Sequence, residues 1–540
     1  MSYYPEKDKA NLWWRDGVIY QIYPRSFADT NGDGIGDLKG ILSKLDYLSD
    51  LGVDALWLSP IYPSPDFDFG YDVSDYKNID PKYGTLDDFG ALVKEAHQRN
   101  IRIIVDLVLN HTSTEHPWFK EARKSKDNPY HDYYLWQDAR GNGKVPNNWL
   151  SVFSNKTAWE YVEECGQYYY HMFVKEQADL NWRNPRVYEE MMSVFRFWAG
   201  QGVDGFRLDV FNMYFKDDQF RSNPWKFAII PFDRQKHIHD CDRPEMDGVI
   251  RDIRKTVDEQ PDSYVVGETF LSATDKVRRY CGEGKLKAAF NFSYTHCKWD
   301  AAAFRKLITE WEALGEEQIW PVYVMNNHDV TRSATRLGVG ENDERLKVAA
   351  AMTILLRGTP VLYYGEEIGM RQTRLKRQDL MDPVGVYNWP FHRGRDGCRA
   401  PMQWNNQKNG GFSSGTAWNA VHPDYPERNV NAMLHDPKSL WTFYRDLIRL
   451  RKDNPVFQTG ALQLIDRDNE FVLAFLRKTA EQTALVCLNF SQLSSKVNLK
   501  EVTDVERWGR KFSNLPEKIS APDHGILQLS GEQVLILFSR

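Results

Sequence analysis

Short apolar, β-branched runs recur along most of this chain. Each gives way to a polar residue and then to a longer stretch of helical periodicity. They are GVIYQIYP (17–24), ALWLSP (55–60), IRIIVDLVLNH (101–111), GFRLDV (205–210), SYVVGET (263–269), KAAFNFS (287–293), WPVYVMNNHD (320–329) and PVLYYGEE (360–367). Between the first two, Leu38, Ile41, Leu42, Leu45 and Leu48 fall on one face of an amphipathic helix. After the second, Leu86, Phe89, Leu92, Val93 and Ala96 form an equivalent stripe. Strands that are apolar throughout and alternate with helices predict a parallel sheet buried on both faces. Eight of them predict an α/β architecture, a (β/α)8 TIM barrel.

Two regions break the alternation. Residues 112–183, between the third and fourth strands, are rich in Trp, Tyr, His and Asn and read as a subdomain B inserted in the β3–α3 loop. After residue 461 the pattern turns to alternating short strands, FVLAFLRK, TALVCLNF, GILQL and QVLILFS, which predict a C-terminal antiparallel β-sandwich. The expected domains are therefore a barrel from 1–111 and 184–461, the insert at 112–183, and the β-domain at 462–540.

Polar residues cluster where the predicted strands end: Asp106, Asn110 and His111; Arg207 and Asp209; Glu268; His328 and Asp329. In a barrel those ends converge on one face, where active sites are built. One buried acid is readily explained as a satisfied structural group. Four strands ending this way point to chemistry.

Composition narrows the classes. The formal net charge of −6 across 540 residues excludes the basic footprint of a nucleic-acid binder. No run of about 18 apolar residues predicts a membrane span, and the polar start MSYYPEKDKANLWWRDG lacks the apolar stretch of a signal peptide. Six scattered cysteines without a CxxC suit reduced thiols and a cytoplasmic location. Aromatic residues make up 14% of the chain; flat amphipathic rings suit sugar stacking, although a large packed core accounts for most of them.

The motifs VIYQIYPRSFADTNGDGIGDLKGI, FGYDVSDY, DLVLNHTS, QADLNW, GFRLDV, VGETF, NNHD and GCRAPMQWN, in that order, resemble the α-amylase family of glycoside hydrolases, specifically its bacterial α-glucosidase and oligo-1,6-glucosidase branch. The resemblance covers nearly the whole chain and implies a retaining glycosidase. It makes Asp209 the nucleophile, Glu268 the general acid/base and Asp329 the acid that grips sugar hydroxyls. Such an enzyme needs one ionised and one protonated carboxyl, about 5–5.5 Å apart. Arg207, two residues before Asp209, projects to the same side of the strand and favours its ionised form. The resemblance further assigns Asp68, Tyr71, His111 and His328 to the glucose site, and Phe153, Phe173 and Gln177 of the insert to its lining. It pairs Asp68 with Arg399 to close the pocket beyond the non-reducing end.

In DTNGDGIGD, Asp29, Asn31, Asp33 and Asp37 alternate with Gly34 at the turn, like the first part of a Ca²⁺ loop; the Glu that completes an EF-hand is missing, and Gly40 stands there. The loop resembles the family's structural Ca²⁺ or Mg²⁺ site, with the Ile35 carbonyl as a further ligand. An Asx-rich turn without an ion is the other reading. No organic cofactor is implied.

A closed pocket implies exo-action on short α-glucosides, small-molecule substrates, with no nucleic acid and no membrane as partner. In this branch the residue after the nucleophile resembles a linkage switch, and Val210 favours α-1,6, isomaltose-type bonds. The surrounding DFGYDVSDY and GRDGCRAPMQW look more like α-glucosidases of short substrates, where α-1,4 and other linkages are common. A transglucosylase or sucrose isomerase on the same scaffold is the nearest alternative, but VTRSATRLG follows NNHD where the arginine-rich run RLDRD is expected. A non-catalytic transporter heavy chain predicts a membrane span and degraded catalytic positions, and a sugar-binding module has no need of a matched nucleophile and acid.

Overall fold

Eight parallel strands close into a barrel in the computed structural model, which describes every residue except 1–11, 270–273, 316–318, 341, 503–507, 517–523 and 540. They are β1 (Ile19–Ile22), β2 (Ala55–Leu58), β3 (Arg102–Leu107), β4 (Gly205–Leu208), β5 (Tyr264–Gly267), β6 (Ala288–Phe290), β7 (Trp320–Val324) and β8 (Thr359–Tyr363). Each expected strand is present, neighbours pair in sequence order, and β1 closes against β8.

Side-chain alternation sorts each strand into an inner and an outer set. Ile19, Ala55, Trp57, Ile104, Val266, Ala288, Val322 and Val361 pack together as one apolar cluster, joined by Trp14, which stacks on Tyr264 at 5.2 Å. Tyr20, Leu56, Leu58, Ile103, Val105, Phe206, Val265 and Leu362 belong to the other cluster, shared with the surrounding helices. Two residues further along the inner set, the apolar stack gives way to buried polar groups: Gln21 after Ile19, Asp106 after Ile104 and Glu268 after Val266. The barrel interior is thus oily at one end and ionic at the other.

The outer helices carry their own start signals. In Leu86–Gln98, Thr85 and Asp88 form a reciprocal capping box, and Phe89, Leu92, Val93 and Ala96 are buried. The stripe from Leu38 to Leu48 forms two helices rather than one, Leu38–Ser43 and Leu45–Leu51. The break falls at Lys44, whose N–H bonds Ile41 and Leu42 and whose ammonium lies 4.4 Å from the Trp404 ring.

After β3 the chain forms a two-stranded pair, His111–Ser113 with Gln177–Asp179, and a three-stranded sheet from 136–137, 159–162 and 167–170. Two further excursions, between β4 and the helix Met246–Val257 and again after β8, contain only short helices and no periodic stripe by which sequence could mark them. Near the C-terminus five strands form an antiparallel sheet in the order 461–465, 472–478, 483–489, 534–539, 508–513. One face (Leu473, Phe475, Val486, Ile536) joins the barrel core; the other (Ala474, Leu476, Leu485, Leu535) packs on the small sheet of 495–498 and 526–529. Among the described residues no helix is long and apolar enough to cross a membrane.

Candidate active site

The inner parity of β3, β4 and β5 carries past their last ladder residues. Asp209 N–H donates to Leu107 O and Glu268 N–H to Leu208 O, both at 3.0 Å, so each acid leaves the barrel on an extended, fixed backbone. Asp106 and Arg207 are direct cross-strand partners. Arg207, 1% exposed, is the hub: its Nη1 donates to Asp106 and to Asp209, 2.7 Å each, and its Nη2 to Glu268. Asp106 is held in turn by Trp57 Nε1 at 3.2 Å and the Tyr71 hydroxyl at 3.0 Å. One planar guanidinium gripping both Asp209 and Glu268 keeps the two carboxyls close, as a retaining mechanism needs, rather than at the wider gap that admits a water in inverting enzymes.

Two local features make this packing possible. A Cβ on Gly267 would lie 2.3 Å from the Phe211 ring, so only glycine lets the turn Phe211–Met213 close under Glu268. Val210 has φ +33 and ψ 40, a left-handed conformation that a β-branched residue adopts only under constraint. That twist aims its N–H at Glu268 Oε2, 3.3 Å away, while its side chain lines the cavity.

Asp329 and His328 stand at the end of β7. Gln21 Nε2 donates to His328 Nδ1 at 2.8 Å, which places the ring proton on Nε2, 3.3 Å from Asp329 Oδ2. The His328 ring stacks on Tyr71, centroids 5.0 Å apart and planes 5° from parallel. His111 lines the cavity as well, but its Nε2–H is spent on the Tyr71 carbonyl at 2.9 Å. Lys216, buried in the excursion after β4, ties Asn110, Asp179 and the Met213 carbonyl together and so fixes the insert over the strand ends.

The far wall differs from expectation. Asp68 pairs with Arg395 (2.5 Å), not with Arg399. Arg395 also holds Asp382 at 2.7 Å and Asp329 at 3.2 Å, and its guanidinium lies 4.6 Å from the Phe153 ring. Arg399 is fully buried behind it and donates to the His328 carbonyl at 2.9 Å and to Asp329 at 3.1 Å. Both arginines stand in GRDGCR, and spacing alone does not say which reaches the cavity. Gln177 Nε2 completes the wall, donating to Asp68 at 3.2 Å. Phe153 and Phe173 pack on each other at 5.3 Å and face the cavity. Asp72, which accepts from Phe67 N–H, Asp68 N–H and Ser64, shapes the loop that carries Asp68 and Tyr71.

Together these groups line a cavity of about 570 Å³, the size of a small-molecule site. Its other side comes from residues sequence reading passed over: Thr269, Phe290, Asn291, Phe292 and His296. Phe270 of VGETF lies outside the described residues.

Burial raises the Asp209 and Glu268 carboxyls and pushes Asp106 to about 6, while Arg207 opposes the rise at each. Three carboxyls share one cation, so the group retains a proton near neutrality, and Asp209 and Glu268 titrate as a pair. Burial also favours a charged-group penalty at Asp329, but His328, Arg395 and Arg399 outweigh it and hold Asp329 low. Desolvation lowers His328 to about 3 and His111 to about 4, so both rings are neutral above that range.

The DTNGDGIGD loop satisfies itself. Asp29 accepts from Gly32 and Gly34 N–H at 2.8 Å, Asn31 from Asp33 N–H and Asp33 from Ile35 N–H at 2.8 Å, and Asp37 caps the helix Leu38–Ser43. Its oxygens are the hard donors a Ca²⁺ or Mg²⁺ ion takes, yet among the described residues no three acidic, imidazole or thiol side chains are arranged to hold a metal ion. All six cysteines are free thiols.

Residues 21–460 match the family model for the α-amylase catalytic domain. The chain is 40% identical over 526 residues to an oligo-1,6-glucosidase of Parageobacillus thermoglucosidasius, covering 89% of this chain and 91% of that protein. It is 39% identical over 539 residues to a probable α-glucosidase of Rhizobium meliloti (strain 1021), covering 96% and 97%. The crystal structure of an α-glucosyl transfer enzyme matches it with a TM-score of 0.92 at 38% identity, over 98% of this chain and 99% of that one.

Proposed function

The chain belongs to the α-amylase family of glycoside hydrolases, in its α-glucosidase branch, and from that premise we propose how its residues divide the reaction. Asp209 attacks the anomeric carbon of a terminal α-glucosyl unit as Glu268 gives its proton to the glycosidic oxygen. The bond to the leaving sugar breaks and a glucosyl–Asp209 ester forms. Glu268, now ionised, takes a proton from water, which attacks the same carbon and frees Asp209. The observation that carries this reading is the single Arg207 guanidinium bound to both acids.

Asp329 and the His328 Nε2–H are placed to hold hydroxyls of the glucose ring, and the Asp68–Arg395 pair closes its non-reducing end. That wall supports exo-action on short α-glucosides. Val210, β-branched and in the cavity lining, supports a preference for α-1,6 bonds over α-1,4, with Val210→Thr shifting the balance toward maltose. Half-buried Phe292, stacked on Phe290 at 5.6 Å, offers a platform for an acceptor sugar and favours some glucosyl transfer as the second reading. Free, mostly buried thiols support a cytoplasmic location. The hard-oxygen donors of the Asp29–Asp37 loop support a structural Ca²⁺ or Mg²⁺ ion. The deciding experiment is a rate panel of isomaltose, maltose, sucrose and trehalose with products identified, run beside Asp209→Asn. No glucose release from any of them by the unaltered enzyme would overturn the reading.

A further inference from the structure

The turn after β8, Gly365–Glu366–Glu367, buries two adjacent carboxyls that the reaction does not use. Neither is in an ion pair with a side chain among the described residues. Glu367 accepts from the Tyr20 hydroxyl at 2.8 Å and the Tyr47 hydroxyl at 2.5 Å, which lock it to β1 and the helix Leu45–Leu51. Glu366 is wired differently. Its Oε1 takes the Tyr444 hydroxyl at 3.1 Å, and its Oε2 takes Asn326 Nδ2 at 2.7 Å.

Asn326 is the first residue of the loop that presents Asn327, His328 and Asp329. The same side chain spans the loop: Nδ2 donates to Ser333 Oγ at 2.9 Å and Oδ1 accepts from Ser333 N–H. Inside it, Asn327 Oδ1 accepts from Asp329 N–H at 2.9 Å and Val330 N–H at 3.1 Å. The loop is therefore braced by its own hydrogen bonds; Gln21, Arg395 and Arg399 hold its His328 and Asp329 end, and Glu366 holds its Asn326 end through a carboxylate acceptor. A neutral apolar group there would leave Asn326 Nδ2 with only Ser333 to hold it.

Resting on the assignment of Asp329 and His328 as the groups that hold the glucose ring, we propose that Glu366 is a positioning residue: through Asn326 it fixes the loop that sets those two side chains against the sugar. Its carboxylate is worth most when ionised, because a charged acceptor makes the stronger hydrogen bond. Burial pushes Glu366 up to about 7, with Asn326, the Tyr363 N–H and Tyr444 pulling it down and Glu367 pushing it up. The charged and titratable groups packed round it are Glu367, Arg336 and the phenols of Tyr294 and Tyr444, with Arg332 beside Glu367. The raised value is consistent with a carboxyl that changes charge within the working range. As pH falls through about 7, Glu366 gains a proton, its grip on Asn326 weakens, and sugar binding loosens.

The test compares Glu366→Gln, which keeps an acceptor but cannot ionise, with Glu366→Leu, which offers none. Steady-state kinetics on an aryl α-glucoside from pH 5.5 to 8.5 are the readout, with circular dichroism to confirm folding. Glu366→Leu is expected to raise KM about tenfold while changing kcat less, since the acids on β4 and β5 are untouched. Glu366→Gln should restore KM to within a few fold and abolish the rise of KM on acidification that the unaltered enzyme shows. If Glu366→Leu fails to fold, Asn326→Ala supplies the same loss from the other end of the bond. A KM–pH curve in Glu366→Gln that superimposes on the unaltered one overturns the proposal, as does a folded Glu366→Leu or Asn326→Ala with unchanged KM. Activity of the unaltered enzyme on the aryl glucoside checks the α-glucosidase reading separately.

Discussion

Two arginines organise this site, and each gathers three carboxyls. Arg207 holds Asp106, Asp209 and Glu268; Arg395 holds Asp68, Asp329 and Asp382. The charge count is the same, yet the acids respond in opposite ways. Around Arg207 all three are raised, because burial outweighs a single shared cation. Around Arg395, Asp329 is lowered by His328, Arg395 and Arg399 and Asp382 by Arg395 and Arg399; Asp68, which both arginines also pull down, is raised because its burial outweighs them. One cluster favours keeping a proton, and in the other Asp329 and Asp382 stay anionic. A second buried guanidinium helps to hold two of its three acids down.

Breaking the first cluster costs most. Asp209→Asn removes the proposed nucleophile and should lower kcat/KM for an aryl α-glucoside roughly 10⁴- to 10⁶-fold, measured against an intact thermal transition. Loss of less than a hundredfold would mean that another group attacks. Glu268→Gln is milder, about 10²- to 10⁴-fold on disaccharides, and milder still where the leaving group is a good phenol that needs no proton. Equal losses on both substrate types would reject Glu268 as the acid.

Acidity separates the two clusters. A raised carboxyl keeps its proton to a higher pH, so ionised Asp209 disappears as the pH falls while still above the usual carboxylate range. The acid limb of kcat/KM is therefore expected above the usual carboxylate range and steep, because coupled carboxyls titrate together. His328→Asn should leave its position unchanged, since that ring is already neutral there; a limb that moves with His328 would assign the titration to the histidine instead.

In the second cluster, Arg395→Lys keeps the charge but loses the fork that spans three acids. KM for isomaltose should rise about 10- to 100-fold, with kcat changing less. A larger change in kcat than in KM would place Arg395 in the chemical step. The smallest effect belongs to Val210→Thr, about tenfold in the isomaltose-to-maltose ratio, read from the two kcat/KM values. An unchanged ratio leaves Val210 with only its backbone task of aiming an N–H at Glu268. Ca²⁺ added to chelator-treated enzyme should raise the melting temperature by a few degrees, and Asp33→Ala should cancel the gain; a transition indifferent to Ca²⁺ would remove the ion from the Asp29–Asp37 loop.

The same comparison explains what was legible beforehand. The Arg207 cluster lies on three neighbouring strands whose period-two alternation continues one step past the sheet, so Gly205, Arg207 and Asp209 announce their shared side in the sequence itself. The Arg395 cluster is assembled from residues 68, 329, 382 and 395, carried by loops with no period, and Asp382 in LMDPVG gives no local signal at all. Arg395 stands in the place expected of Arg399 for that reason: two arginines four apart in an irregular segment are separated only by tertiary packing. Lys216 and Glu366 were missed alike, because a buried charge on a loop resembles a solvated one until its neighbours are known.

The C-terminal sheet sets a condition on when the molecule can be finished. Its strand Val534–Ser539 is not at an edge; it lies between Thr483–Asn489 and Trp508–Ser513, and Ile536 faces the barrel helices. During synthesis the helix Glu344–Leu355 is made long before the strand that completes its cover. Its apolar outer face stays open until Val534–Ser539 has left the ribosome, which makes the nascent barrel a client for whatever shields sticky surfaces in the cell, and makes loss of that one strand far more damaging than its length suggests.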